Sequence, residues 1–355
     1  MKTVELGSIC RPRQWPVISG KEMLESGNPV FGANGRIGFT NRLTHDRETI
    51  AVGCRGSCGQ VHLVPAGSYI NGNAMALDEL DEAQVDRRYL FRWLQRRGFD
   101  DVVTGTSQPQ IIQANIRRVD VPLPALSEQR RISAILDQAD DLRRLRRQSL
   151  SRLSEVGQSI FDDMFGSLNV HPAPLKSLGR VVTGSTPPSA SSGMFGGNIP
   201  FVTPGDLGSG AESARFVTTD GAKKSRLVSA GSTLVCCIGA TIGKMDQAVR
   251  DSAFNQQINA IEWGDSVRND FGYYAIKALR DIIVFRGKGA STTLPILKKS
   301  EFEKLEIKVA DTSLQDRFSK RLAGVRLLQA DGKEALVRAD SLFTSLQHRA
   351  FRGEL

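Results

Sequence analysis

Two stretches of about forty residues, 127–165 and 313–351, constrain this chain more than any other feature. Each carries an apolar stripe at helical spacing, and each closes one half of the sequence. In the first, Ile132, Ile135, Ala139, Leu142, Leu145, Leu153, Val156, Ile160 and Met164 follow steps of three and four, broken at Ser149. In the second, Phe318, Leu322, Val325, Leu328, Leu336, Ala339, Phe343, Leu346 and Ala350 do the same, broken at Gly332. Both stripes predict burial. The stretches also match each other without a gap, pairing Gln129 with Gln315, Arg131 with Arg317, Ser133 with Ser319, Leu136 with Leu322, Leu150 with Leu336 and Phe165 with Phe351. Agreement beyond the apolar positions argues for duplication over coincidence. At about 1.5 Å per residue such helices reach roughly 55–60 Å, longer than a small domain is wide, so they read as spacers.

The segments before the helices repeat in order, with drifting offsets that suit insertions in surface loops. TIAVGCRGSCGQV from Thr49 answers TLVCCIGATIGKM from Thr233, each a buried strand entering a glycine turn. INGNAMAL from Ile70 answers FNQQINAI from Phe254. Helices are expected at 87–97 and 269–281, each followed by a polar loop, GTSQPQI from Gly105 and GASTTLPI from Gly289. The organisation expected is a globular domain over 1–124, a helix over 125–168, a second globular domain over 169–310 and a second helix over 311–355.

The formal charge of +9 favours a polyanionic partner, and its distribution adds detail. Net charge is +2 over 1–122, 0 over 123–166, +5 over 167–310 and +2 over 311–355. The five cysteines are odd in number and scattered, which suits reduced thiols. Cys54, Cys58 and His62 are spaced like metal ligands but lack a fourth, so no metal is expected. No run of apolar residues is long enough for a membrane span, and Glu5 and Arg11 interrupt any secretory signal, so a cytoplasmic protein is expected.

The most diagnostic stretch is VPLPALSEQRRISAILD from Val121. Its prolines end an extended segment, Ser127 is placed to cap the helix, and Glu128 favours the positive end of the helix dipole. Together with the long stripe that follows, it resembles the signature of Type I restriction-modification specificity subunits. IPFVTPGDL from Ile199, the strand and turn from Thr233, and the loops at 106–109 and 291–295 resemble that family's target-recognition domain. In the first half FGANGRIG from Phe31 departs from the motif.

The resemblance implies an α+β chain of two mixed α/β target-recognition domains separated by two long antiparallel helices, with an internal pseudo-twofold repeat. It implies a non-catalytic subunit that reads a bipartite site in double-stranded DNA and docks two methyltransferase subunits, with restriction subunits in the full complex. S-adenosylmethionine would then belong to the methyltransferase partners, and this chain would bind no cofactor. Helix pairing and partner docking would fall to Ile132, Leu136, Leu142, Leu150, Leu153, Ile160, Leu322, Leu328, Leu336 and Leu346, with Phe161 also off the centre of its stripe. Two other readings stay open at this level: a specificity-like DNA-binding protein of another defence or orphan methylation system, and a basic coiled-coil scaffold that does not bind DNA.

Polar residues beside glycine turns are the candidates for DNA contact, since they combine phosphate-binding charge with side chains that reach base edges. In the first half these are Arg36, Arg55, Gln60, Ser107, Gln108 and Gln110, and in the second Lys223, Lys224, Lys244, Arg286, Lys288, Ser291 and Thr292. An enzyme reading finds little support. GATIGK at 239–244 is one residue short of a phosphate loop and has Met245 where Ser or Thr should bind magnesium. Gly32, Gly35 and Gly38 read as a bend, and the four histidines give no acid–base pair.

Overall fold

The computed structural model describes residues 2–105, 107–188, 191–208, 213–289 and 294–355. The chain divides into two compact units, one formed by 1–147 with 334–355 and the other by 148–333. Each long helix therefore contributes to both units.

In the first unit an antiparallel sheet orders the strands Arg11–Gln14, Ala74–Asp78, Thr49–Gly53 and Val61–Val64. Its central strands are buried on both sides, and their alternation feeds two cores. Ile50, Val52, Met75 and Leu77 face the main core, while Ala51, Ala74 and Ala76 face a smaller one. A second sheet pairs Gly35–Thr40 with Asn28–Gly32, and Asn28–Gly32 in parallel with Tyr69–Ile70. The helix Arg87–Arg97 is capped by Asp86, whose carboxylate accepts from the Tyr89 N–H at 2.8 Å.

The second unit repeats this plan. Its four-stranded antiparallel sheet runs Gly179–Thr183, Ile258–Trp263, Thr233–Cys236, Met245–Gln247. A further sheet again contains one parallel pair, Phe195–Val202 with Ser252–Phe254. Alternation on the central strand is the same, Val235 facing the larger core and Leu234 and Cys236 the smaller. The helix expected over 269–281 ends earlier, at Asn269–Ala278, and a separate helix Arg280–Gly289 follows. This second helix was not anticipated. Leu279, at φ −87° and ψ 6°, departs from helical geometry and divides the pair.

The long helices span Leu126–Phe165 and Thr312–Ala350 and run unbroken through Ser149 and Gly332. Gly332 leaves room for a facing Leu150, whose Cδ2 would lie 2.8 Å from an added Cβ. The first helix does not take Ser127 as its cap. The backbone carbonyl of Ala125 accepts from the N–H groups of Glu128 and Gln129, which places Ser127 inside the first turn.

Within each unit the two helices pair as an antiparallel seam. In the first unit Arg143 and Arg147 donate to the Asp340 carboxylate at 2.6 and 2.8 Å, and the Arg143 guanidinium lies over the Phe343 ring. In the second the Gln329 amide donates to the Leu153 carbonyl at 3.0 Å. The expectation of a continuously buried stripe fails at Leu142, Leu145 and Leu328, which are 41%, 52% and 58% exposed. A seam of only two helices covers one flank of each, so residues beside the contact line stay open. Conversely Leu136 and Phe161, expected to face partners, are buried in the cores of their own units, as are Ile132 and Leu322. Leu150, Leu153, Ile160, Leu336 and Leu346 are half-buried.

Candidate nucleic-acid interface

At one end of each four-stranded sheet, loops from distant parts of the sequence meet. In the first unit the strand Thr49–Gly53 runs into a turn whose Gly56 and Gly59 take φ +79° and +81°, which only glycine adopts without strain. The loop before Ile111 returns beside this turn. Ile111 N–H donates to the Cys54 carbonyl at 3.0 Å, Arg55 and Gln110 form a β-bridge, and the Cys58 thiol donates to the Pro109 carbonyl. The segment Asn71–Gly72–Asn73 closes the edge, with Cys54 and Arg55 N–H groups both donating to the Asn73 carbonyl and the Gln14 amide donating to that of Gly72.

The second unit builds the same edge. Gly239 and Gly243 take φ +98° and +84°, Leu297 N–H donates to the Cys237 carbonyl at 2.8 Å, and Ile238 bridges Ile296. Asn255–Gln256–Gln257 occupies the place of Asn71–Gly72–Asn73, and Cys237 N–H donates to the Gln257 carbonyl. The Thr186 hydroxyl donates to Gln256 at 2.7 Å, which adds Thr186 to the edge.

Six of the thirteen sequence-predicted residues fall on these edges and five others lie on elements around them. Arg55, Gln60, Ser107 and Gln108 are exposed around the first turn and Gln110 is half-buried beside it. Arg36 follows the Gly32–Gly35 hairpin, whose Ala33 carbonyl contacts the His62 Nε2, and its guanidinium sits over Phe39. Lys244 is exposed at the end of the second turn. Arg286 and Lys288 flank Gly287, whose carbonyl accepts from Ile296 and whose Cα faces Ile242, so the helix Arg280–Gly289 packs against the turn. Lys223 and Lys224 end a short helix apart from the turn and connect to the edge through Ser225, which donates to the Ser185 carbonyl. Ser291 and Thr292 lie outside the described residues.

The charge at the edges is open. Arg36, Arg55, Lys224, Lys244, Arg286 and Lys288 are exposed, and none of them is ion-paired with a described residue, whereas Lys223 pairs with Asp220 at 3.0 Å. Unpaired cations are the ones free to meet phosphates. Sequence reasoning missed Gln14, Thr186, Asn71, Asn73 and the Asn255–Gln257 run as edge residues. The parallel between INGNAMAL and FNQQINAI was the signal that contained most of them.

Among the described residues the remaining sequence motifs do not converge on one point. Cys54 contacts the Gln14 amide, Cys58 the Pro109 carbonyl and His62 the Ala33 carbonyl, three different directions. Burial pushes the thiols of Cys10 and Cys237 up to about 12, which keeps them protonated. The 239–244 segment joins two antiparallel strands, whereas a phosphate loop opens a helix. Among the described residues no helix is long and apolar enough to cross a membrane.

Residues 1–155 and 169–326 each match the family described as "Type I restriction modification DNA specificity domain". The chain belongs to this family. Type I specificity subunits are also among its sequence relatives: the EcoprrI subunit of Escherichia coli is 26% identical over 164 residues, 44% of this chain and 39% of that one. The HindI subunit of Haemophilus influenzae is 28% identical over 162 residues, 42% of this chain and 34% of that one. The matches thus span well under half the length of these relatives. The specificity-subunit fold extends over the whole chain: the S subunit from M. genitalium superposes with a TM-score of 0.62 at 16% identity, covering 98% of this chain and 95% of that one. A chain from a structure of complex assembly and conformational transition in the type I R-M system gives 0.58 at 16% identity, covering 100% and 98%. In this specificity-domain chain the duplication is therefore one of fold as well as of sequence.

Proposed function

We propose that this chain reads a bipartite site in double-stranded DNA, each unit gripping one half-site with the loop edge at the end of its four-stranded sheet. The observation that carries the reading is the duplicated edge. Two turns with left-handed glycines, two returning loops bonded to Cys54 and Cys237, and two polar triplets share one backbone plan but present different side chains. A common frame with divergent chemistry suits two different half-sites. Exposed cations would position the phosphates, and Gln60, Gln108, Gln256 and their neighbours would face base edges.

On this reading the chain performs recognition, and catalysis belongs to methyltransferase subunits that carry S-adenosylmethionine and to restriction subunits joined through them, in the cytoplasm. The apolar side chains left open on the long helices, Leu142, Leu145, Leu327, Leu328, Val337 and Leu342, would supply docking surface for the methyltransferases. The helices would set the distance between half-sites. Likeness to a chain whose structure concerns complex assembly of a type I R-M system supports the partner assignment.

The test is a methylome of a host given this gene with its neighbouring methyltransferase gene, followed by gel shifts of the purified complex on the mapped site. A split motif bound selectively over random duplex is the expected result. Binding with no preference over random duplex would overturn the reading and favour a scaffold.

A further inference from the structure

The helix Arg280–Gly289 has no counterpart among the described residues of the first unit, and it leaves a large aromatic outside. Phe285 is 79% exposed, with Ile282 one turn earlier at 44%. The first unit handles the same position differently. There Gly59, at φ +81°, is backed by Phe99, a buried ring whose Cβ lies 3.1 Å from where a glycine Cβ would stand. In the second unit Gly243, at φ +84°, is backed by Val284 at 2.6 Å. The smaller valine fills the space beneath the turn, and the aromatic next to it is turned out of the core. Covering Phe285 would be worth about 1.5–3 kcal/mol, free energy open to whatever surface packs on it.

Cations outnumber carboxylates around it: Asp281, one turn earlier, is exposed and pairs with Arg280 at 3.8 Å. Arg286 and Lys288 flank it on the helix and Lys244 stands on the turn that the helix supports, all exposed. Cations around an apolar tip fit a polyanion that also offers apolar surface, and duplex DNA offers it as thymine methyls in the major groove. A helix enters the major groove, about 12 Å wide, and not the minor groove of about 6 Å. We infer that Phe285 touches DNA directly, packing on a thymine 5-methyl in the major groove of the second unit's half-site while Arg286 and Lys288 hold the adjacent backbone. The inference rests on the DNA-reading role proposed above and adds a specificity-determining residue to it.

The experiment uses the full chain assembled with its methyltransferase subunits and a duplex carrying the mapped site. Each thymine of both half-sites is replaced in turn by uracil, which removes only the methyl. For the wild-type chain, uracil at one or two positions of a single half-site should weaken binding about four-fold, the worth of one buried methyl. With Phe285→Ala the same positions should show no penalty, and every other position should behave as in wild type. Equal uracil penalties in both proteins at every position would overturn the inference and leave the DNA-reading role intact. Loss of complex assembly by Phe285→Ala would also overturn it, by giving the face to a protein partner. A wild-type complex that does not prefer the mapped duplex would sink the underlying reading instead. The side chain lies on the surface, so Phe285→Ala leaves the fold unchanged, with an unaltered urea midpoint as the control.

Discussion

Gln129 and Gln315 occupy one position of the repeat, and both side chains are fully buried. The Gln129 carbonyl accepts from the Asp86 N–H at 2.8 Å, and its amide donates to the carbonyls of Gln84 and Pro124 at 3.0 and 2.9 Å. Gln315 does the same with Arg268 N–H at 2.7 Å and the carbonyls of Ser266 and Ala310 at 3.0 and 2.7 Å. Asp86 and Arg268 are the N-cap residues of the helices Arg87–Arg97 and Asn269–Ala278. One side chain thus ties the start of a long helix to the start of a domain helix, satisfying three backbone groups. Replacing Gln315 with Leu keeps the volume but strands one donor and two acceptors. At about 1–3 kcal/mol for a buried unsatisfied group, and less for a carbonyl than for an N–H, the gross loss is about 4–5 kcal/mol. The greater hydrophobicity of leucine offsets about 1–2 kcal/mol. A net loss of about 3 kcal/mol lowers the melting temperature of a unit this size by roughly 6–12 °C. Gln315→Glu should be at least as harmful, because a carboxylate accepts from Arg268 but cannot donate to either carbonyl. The assay is calorimetry of the full chain with both variants at each position, each affecting the transition of its own unit. A loss below about 1 kcal/mol for Gln315→Leu, or full rescue by glutamate, would refute the reasoning.

On the DNA-reading role proposed here, Lys224→Ala and Lys244→Ala should each weaken DNA binding across all sequences and lower the slope of log K against log salt by about 0.9. Unchanged slopes in a filter-binding titration would remove these residues from the phosphate-contacting set. Gly157 faces the Tyr274 hydroxyl so closely that an added Cβ would overlap it, whereas Gly324 has nothing within 4 Å. Gly157→Ala should therefore cost about 1–3 kcal/mol and Gly324→Ala gain up to about 1 kcal/mol, opposite shifts that one urea series would check. Arg143 holds the Asp340 carboxyl below its usual value of 3.8. Its contribution to stability is present above that pH and is lost as pH falls through the depressed value. Asp340→Asn should therefore be less stable than wild type at pH 7, by under about 1 kcal/mol for so exposed a pair, with the gap closing below about pH 4. Removing four residues from each long helix in register shortens both by about 6 Å, which should shorten the methylated spacer by one or two base pairs on the DNA-reading role proposed here.

The features legible in the sequence were those that repeat. The ungapped match of the long helices and the order of the strands survive because core positions tolerate few residue types. Periodicity could not say how many neighbours each stripe has, which is why Leu142 and Leu328 looked buried and Leu136 looked available. Ser127 has the chemistry of a cap, but the helix starts two residues earlier than a Ser127 cap would have it, right after the prolines, and Gln129 satisfies the Pro124 carbonyl. The role of Gln129 was invisible for a different reason. Its partners Gln84 and Asp86 lie more than forty residues away, and nothing local marks them. The helix Arg280–Gly289 was missed because no glycine or proline precedes it; the break at Leu279 is purely conformational.

The two edges are built alike yet charged differently, and that difference has a consequence for how a two-part site would be gripped. Around the first turn the exposed groups are two guanidiniums, Arg36 and Arg55, among neutral side chains, Gln60, Ser107 and Gln108. Around the second are three cations without a described ion-pair partner, Lys244, Arg286 and Lys288, with a bare Phe285 beside them, and Lys224 adds a fourth from a nearby helix. Phosphate contacts supply affinity that any sequence can claim, whereas amides and apolar tips discriminate only on the right bases. On the DNA-reading role proposed here, the second unit supplies most of the salt-dependent hold, roughly four of six counterions released at about 0.9 each. The first unit, weaker in charge and richer in amides, adds little until its half-site is correct. Raising salt should therefore erode binding to a duplex carrying only the second half-site more steeply than binding to one carrying only the first. On that role the second unit carries more of the charge that holds DNA and the first more of the amides that check it.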